Sequence, residues 1–131
     1  MSTELADKAL LKLKDPSLLR NGCFINGAWQ QAGTTETMAV HNPATGAFIG
    51  TVPNAGSEET RDAIAAAEAA GPDWRRRTAK ERSTILRRWF DLILDNQEDL
   101  AVLMTSEQGK PLTESRGEIA FAASYIEWFA E

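Results

Sequence analysis

The sequence contains few of the residues that most often build reactive or cross-linked sites. Among its 131 residues there is one cysteine, Cys23, and one histidine, His41. A single cysteine excludes a disulfide within the chain and a zinc site built from paired cysteines. With only one histidine as well, the sequence has almost no material for a Cys/His catalytic pair.

Long apolar runs and an excess of basic residues are also missing. The longest apolar runs, such as residues 119–123, reach five residues, whereas a membrane-spanning helix needs about twenty. Fourteen bases against nineteen acids give a formal net charge of −5, which argues against a binder of nucleic acid or acidic membranes. The amino terminus lacks the apolar core or Arg-rich pattern of a targeting peptide. We therefore expect a cytoplasmic protein with no nucleic-acid or membrane partner.

The residues that are present have the balance of a folded chain, with 43% hydrophobic and 25% charged residues. The first 56 residues hold six of the nine glycines and three of the five prolines, whereas the remainder is rich in Ala, Leu and Glu, a helical composition. This change predicts three parts: an extension with a short helix over residues 1–20, a small antiparallel β unit over residues 21–56, and a helical part over residues 57–131.

Two turn signals divide the β unit into strands. Asn26-Gly27 predicts a turn or kink after a short strand. The segment Asn42-Pro43-Ala44-Thr45-Gly46 predicts a hairpin loop, because proline fits the second turn position and glycine accepts a positive φ. The expected architecture is a β hairpin or small sheet followed by four α-helices.

The first two helices have clear start signals. Ser57 is expected to cap a helix over residues 58–70, which Gly71-Pro72 should end. Thr78 and Glu81 form a capping box for the second helix. Its periodic apolar stripe, predicted to be buried, consists of Ile85, Leu86, Trp89, Phe90 and Ile93.

The third helix is expected to begin at Asn96, with Asp99 three residues later. Gly109 stands where a left-handed residue should end it, and Pro111 prevents continuation.

The last helix, from about residue 113 to residue 131, is apolar on two faces. One face carries Ile119, Ala122, Ile126 and Phe129, and another carries Phe121, Tyr125 and Trp128. Such a helix is usually enclosed by other elements, and no segment remains to enclose it. Because no cap or breaker follows it, we expect this helix to be truncated.

Each candidate reactive group has a more ordinary interpretation. Cys23 could be a nucleophile, but a small buried hydrophobe is favoured. His41 could be a general base, but a hydrogen-bonded turn residue is favoured. Seven bases within residues 75–88 could bind an anion, yet interleaved acids favour a solvated helix surface with ion pairs.

Three carboxylates are less easily explained. Glu107 stands in the last turn of a helix, where the dipole disfavours an anion, so a cation nearby is plausible. Glu114 and Glu118 form a like-charge i, i+4 pair that would be stabilised by a neutralising neighbour.

Four short motifs occur in order along the chain: Phe24-Ile25-Asn26-Gly27-Ala28-Trp29, Asn42-Pro43-Ala44-Thr45-Gly46, Glu107-Gln108-Gly109-Lys110-Pro111 and Ile126-Glu127-Trp128-Phe129. Taken together, they resemble the aldehyde dehydrogenase superfamily. The resemblance runs from about residue 13 to residue 131 and is closest to the succinate-semialdehyde dehydrogenase branch, with glutarate-semialdehyde dehydrogenases nearly indistinguishable.

The resemblance implies an α/β fold in the full-length enzyme, of which this chain corresponds to roughly the first quarter. Residues 57–131 then belong to the helical part of the NAD- or NADP-binding domain. Relatives oxidise an aldehyde through a cysteine thiohemiacetal, hydride transfer to the nicotinamide, and hydrolysis by a glutamate-activated water. The motifs for those steps are expected beyond residue 131, so the resemblance assigns no catalytic or cofactor-binding residue to this chain, and Cys23 does not match the nucleophile.

The residues that the resemblance does assign are few. A structural Na+ or K+ would be held by main-chain oxygens of Val40 and His41 and by the Glu107 carboxylate. Phe121 would lie near the substrate entrance. The full-length enzyme would act on a small semialdehyde, as in 4-aminobutyrate degradation, and would form a homo-oligomer, a dimer or tetramer.

We therefore expect the amino-terminal segment of an NAD(P)+-dependent semialdehyde dehydrogenase, inactive by itself. The alternative is a non-catalytic helical interaction module or a gene remnant. A module should end in a capped, polar terminus, which the last helix lacks.

Overall fold

The computed structural model describes residues 11–31 and 36–131. Most of the short helix predicted near the amino terminus lies outside these residues. Within them, Pro16–Leu18 forms a 3-10 turn, which Asp15 caps by accepting a hydrogen bond from the Ser17 N–H at 2.9 Å. Among the described helices, none is long and apolar enough to cross a bilayer.

Two separate antiparallel hairpins follow. β1 (Cys23–Ile25) pairs with β2 (Ala28–Gln30), and β3 (Thr37–His41) pairs with β4 (Phe48–Pro53). The predicted turn at Asn26-Gly27 is confirmed, with φ of 51° and 75°. Positive φ at both positions is the signature of a type I′ turn, whose twist matches that of the flanking strands.

The predicted loop between β3 and β4 is also confirmed. The Asn42 side-chain oxygen accepts a hydrogen bond from the Ala44 N–H at 2.9 Å, and the Asn42 N–H donates to the Ala47 carbonyl at 2.8 Å. Gly46 has a φ of 72°, which favours glycine because it has no Cβ. Local hydrogen bonds thus define this loop.

Four helices complete the chain: α1 (Ser57–Arg76), α2 (Ala79–Asp95), α3 (Gln97–Gln108) and α4 (Leu112–Ala130). The predicted stop of the first helix at Gly71-Pro72 is wrong, since α1 continues through both residues. Proline removes one helical N–H but has a φ close to the helical value, so one missing bond did not end the helix. Gly56, and not Ser57, is the N-cap, and its N–H donates to Glu59 at 2.8 Å.

The capping box of α2 is confirmed. The Glu81 carboxylate accepts from the Thr78 N–H at 2.7 Å, while the Glu81 N–H donates to the Thr78 hydroxyl at 3.3 Å. The backbone hydrogen bond from Thr78, followed by its hydroxyl bond, lowers the pKa of Glu81. A charged carboxylate is therefore the form that this cap favours.

The third helix begins and ends where the sequence predicts, but its start is built differently. Asn96 is the N-cap residue, yet its side-chain amide donates backwards to the Leu92 carbonyl at 2.8 Å. Gly109 ends α3 in the left-handed region, with a φ of 86°, as predicted.

α4 is the helix on which the helical part is assembled, because both α2 and α3 pack against it. Ala101, Ser115 and Ala123 are fully buried, and at the α3–α4 contact the Thr105 and Ser115 hydroxyls are 2.8 Å apart. On the other side, Arg87 of α2 pairs with two carboxylates of the α4 end, Glu127 and Glu131.

The described residues bury few apolar side chains. Five apolar residues are buried, whereas fourteen large hydrophobic side chains are exposed. The α2 stripe is only partly covered: Leu86 is half-buried, but Ile85 and Trp89 are 42% and 54% exposed. The prediction of a fully buried stripe is wrong because α4 is the main helix packed along α2 in the described chain.

Two glycines provide a test of the α3–α4 connection. A Cβ at Gly109 would be strained by its positive φ and would lie 2.8 Å from the Pro43 Cγ. We expect Gly109→Ala to lower the free energy of unfolding by about 1–2 kcal/mol or more. The control is Gly117→Ala in α4, where nothing lies within 4 Å of the added carbon. It should raise stability by about 0.5–1 kcal/mol. Urea unfolding followed by circular dichroism measures both, and equal effects of the same sign would contradict this account.

Candidate functional site

The candidate cation site lies where the β3–β4 loop meets the end of α3. Val40 and His41 are the last residues of β3, and Glu107 is in the last turn of α3. β3 and α3 are in contact, and Pro43 packs so closely on Gly109 that an added Cβ would lie 2.8 Å from its Cγ. The structure thus brings together the two segments that carry the predicted ligands.

The strand itself is irregular at this point. Val40 pairs with Gly50 but His41 pairs with Phe48, so Ile49 is an extra residue on β4. Such a bulge interrupts the regular exchange of backbone hydrogen bonds. The His41 ring packs edge-on against Phe48, with centroids 5.6 Å apart. Because valine and histidine side chains contain no oxygen, oxygen ligands from these two residues would come from the main chain.

The carboxylate ligand of the candidate site is Glu107. It is exposed, and it forms no salt bridge with a side chain in residues 11–31 and 36–131. By contrast, Glu118 pairs with Lys110, so the neutralising neighbour expected for the Glu114–Glu118 pair is present. No group of three or more His, Cys, Asp or Glu side chains in the described ranges could hold a metal. Oxygen ligands from one carboxylate and the main chain would suit a hard cation.

Phe121 is placed apart from the hairpin, on α4. Its side chain is 63% exposed and packs edge-to-face on Tyr125, with ring centroids 5.0 Å apart. Trp128 and Phe129 are also exposed, at 77% and 73%. We call Phe121, Tyr125 and Trp128, which the helical period places on one side, the aromatic face of α4.

The basic residues have the ordinary role that the sequence favours, whereas Cys23 is less buried than the sequence predicts. Cys23 is half-buried in β1, opposite Gln30. In the basic segment, Arg76 pairs with Asp73 and Arg87 with Glu127, which confirms the prediction of ion pairs on a helix surface for these two.

The described residues lack the glycine-rich fingerprint of a Rossmann-type dinucleotide site. A Rossmann-type site requires a glycine-rich turn between a parallel strand and a helix N-terminus. Both described sheets are antiparallel pairs, and the turn before α1 contains a single glycine, Gly56.

Sequence reasoning missed the ion pairs that join the helices. Arg116 of α4 donates two hydrogen bonds of 2.7 Å to the Glu98 carboxylate of α3. These bonds, reinforced by the positive charge, lower the pKa of Glu98. The two opposite charges are visible in the sequence, but they are 18 residues apart, and no local pattern indicates that residues so far apart will pair.

Comparison with known proteins identifies close relatives. Residues 29–131 match the sequence model described as "Aldehyde dehydrogenase family". The chain is 61% identical over 121 residues to the glutarate-semialdehyde dehydrogenase of Pseudomonas putida and 57% identical to the NADP(+) succinate-semialdehyde dehydrogenase of Escherichia coli. Each alignment covers 92% of this chain and 25% of the relative, so the chain spans about a quarter of their length.

Solved structures agree with these relatives. An NADP-dependent enzyme of Escherichia coli matches with a TM-score of 0.88 at 57% identity, covering 91% of this chain and 25% of that one. A succinate-semialdehyde dehydrogenase from Burkholderia pseudomallei matches with a TM-score of 0.88 at 59% identity, with the same coverage. The hairpins and helices described above are thus similar in arrangement to parts of larger enzymes.

The aromatic face predicts self-association of the 131-residue chain. Large contiguous apolar patches bind hydrophobic dyes and other apolar surfaces. We expect dye fluorescence and a concentration-dependent sedimentation coefficient, both reduced when Phe121 and Trp128 are changed together to Ser. Ile64→Ser is the control, because Ile64 is similarly exposed, at 61%, but lies on α1. A sharp monomer without dye binding would contradict the prediction.

Proposed function

Because the chain belongs to the aldehyde dehydrogenase family, we propose that it forms the amino-terminal quarter of an enzyme that oxidises a semialdehyde to its carboxylic acid with NAD+ or NADP+. The observation that carries this proposal is the 57–61% identity to semialdehyde dehydrogenases over 121 residues. A third relative, 52% identical, is a 3-sulfolactaldehyde dehydrogenase of Pseudomonas putida. The substrates in these names all combine an aldehyde with an anionic group, so we propose that substrate class.

In this proposal the described residues support and position the catalytic and cofactor-binding groups of the whole enzyme. They take no part in the reaction steps themselves. NAD+ or NADP+ accepts the hydride in the whole enzyme. Cys23 is half-buried in a short strand, and the structure gives it no hydrogen bond to a histidine. The proposal therefore assigns no catalytic or cofactor-binding residue to this chain, and it places Phe121 on the wall of the substrate entrance. The complete enzyme would be a homo-oligomer.

The 131-residue chain should be inactive alone but should function when joined to the rest of a relative. We expect a chimera, in which residues 13–131 replace the matching quarter of the Escherichia coli NADP(+) succinate-semialdehyde dehydrogenase, to form NADPH from succinate semialdehyde. Its rate should lie within about tenfold of the parent enzyme, because no catalytic group is exchanged and small positional errors are the main cost. Absorbance at the NADPH band measures both proteins.

Two results would contradict the proposal. Turnover by the isolated chain well above the blank would show that it carries its own catalytic groups. A chimera that folds and assembles like the parent but has no activity would favour the alternative, a helical module or remnant with no part in the enzyme.

We also propose a monovalent cation, Na+ or K+, at Val40, His41 and Glu107. The proposal is supported by the contact of Pro43 with Gly109 and by the strand irregularity at Val40 and His41. The main-chain oxygens of the two β3 residues and the Glu107 carboxylate would be the ligands. The cation would offset the unfavourable position of that carboxylate at the end of α3.

Cation exchange tests this site directly. We expect the unfolding temperature to be a few degrees higher in NaCl or KCl than in choline chloride of equal ionic strength, because a ligand of the folded state stabilises it. Glu107→Gln should abolish this difference, whereas Glu114→Gln, a control with the same charge change, should retain it. Equal unfolding temperatures in all three salts, or an unaffected Glu107→Gln variant, would contradict the cation site.

A further inference from the structure

Asp99, in the first turn of α3, is a buried carboxylate that the proposed function does not use. Its exposed fraction is 5%. One carboxylate oxygen accepts a hydrogen bond from the Lys14 N–H at 3.0 Å, and the other accepts from the Asp15 N–H at 2.8 Å. Both donors lie more than 80 residues away, with separations of 85 and 84. A single side chain thus fastens the segment before β1 to the helical part.

The groups that Asp99 contacts are backbone groups. The side chains of Lys14 and Asp15 are exposed, and the Asp15 carboxylate is occupied by the Ser17 N–H, at 2.9 Å. Recognition therefore depends on two consecutive N–H groups and not on the identity of the residues that carry them. Proline is the exception, because it has no N–H to donate.

The position of Asp99 suits a hydrogen-bond acceptor. It lies in the first turn of α3, where the aligned peptide dipoles favour an acidic side chain. The adjacent carboxylate, Glu98, is held by the guanidinium of Arg116 at 2.7 Å, so the charge of Glu98 is compensated.

We propose that Asp99 is a latch that holds the amino-terminal segment, residues 11–20, against α3. With the latch closed, the segment is docked. Without it, the segment has a released state in which the N–H groups of residues 14 and 15 exchange with water. Leu11, which is 9% exposed, offers the competing explanation that apolar burial alone holds the segment.

Asp99→Asn tests the latch in the 131-residue chain. The substitution retains the shape but turns one acceptor into a donor that faces an N–H group. We expect hydrogen exchange of the residue 14 and 15 amides, followed by NMR, to accelerate about tenfold or more, since the loss of one charge-assisted bond is enough for that change. Amides of α4 should keep their protection. Trypsin cleavage after Lys12 and Arg20 should accelerate in parallel.

Matched variants separate the latch from other effects. Glu98→Gln makes the same charge change at the next residue and should leave exchange at positions 14 and 15 within about twofold of the parent. Lys14→Ala keeps the N–H and should also have little effect, whereas Lys14→Pro should release the segment.

Four results would overturn the proposal. Unchanged exchange in Asp99→Asn would show that the carboxylate does not hold the segment. Equal acceleration in Glu98→Gln would assign the effect to general charge. Loss of protection throughout α4 in Asp99→Asn would show that Asp99 supports overall stability instead of acting as a local latch. Release by Leu11→Ala with no release by Asp99→Asn would support apolar docking instead.

Discussion

The helical part of the molecule depends on the close packing of α4 against both α2 and α3. Small side chains make this possible, because Ala101, Ser115 and Ala123 have no accessible surface. Ser115 is polar, and its hydroxyl meets that of Thr105 at 2.8 Å, so the contact does not leave an unpaired polar group in the interface. Enlarging any of these side chains would force the helices apart.

Charged pairs at the two ends of α4 set its orientation on its neighbours. Near its start, Arg116 forms a bidentate pair with Glu98 of α3, and near its end, Glu127 and Glu131 pair with Arg87 of α2. Exposed pairs of this kind add little free energy individually. Their contribution is geometric, since a guanidinium bound through two nitrogens has a defined direction. The opposite surface of α4, its aromatic face, remains uncovered in the described residues.

The turns and the Thr78–Glu81 capping box were predictable, while the Ser57 cap and the extent of burial were not. The Asn26-Gly27 turn, the Thr78–Glu81 capping box and the αL residue Gly109 all form as the sequence predicts. The predicted end of α1 at Gly71-Pro72 is wrong, because the helix continues to Arg76 although Pro72 lacks an N–H to donate. For the candidate cation site, the sequence supplied the residues only through a family resemblance, and the structure added the contact between Pro43 and Gly109.

By itself the sequence determined the features that arise from groups within a few residues of one another. Asn42 reaches its loop donors at separations of two and three residues, so its identity and that of Gly46 specify the loop. Tertiary structure alone decided the partner of Asp99. The sequence placed this residue at the start of α3, where it does lie, but did not indicate that its carboxylate binds the backbone at residues 14 and 15. The physical reason is distance along the chain. Backbone N–H groups are chemically alike at every non-proline position, and only folding selects the pair that lies against a given carboxylate.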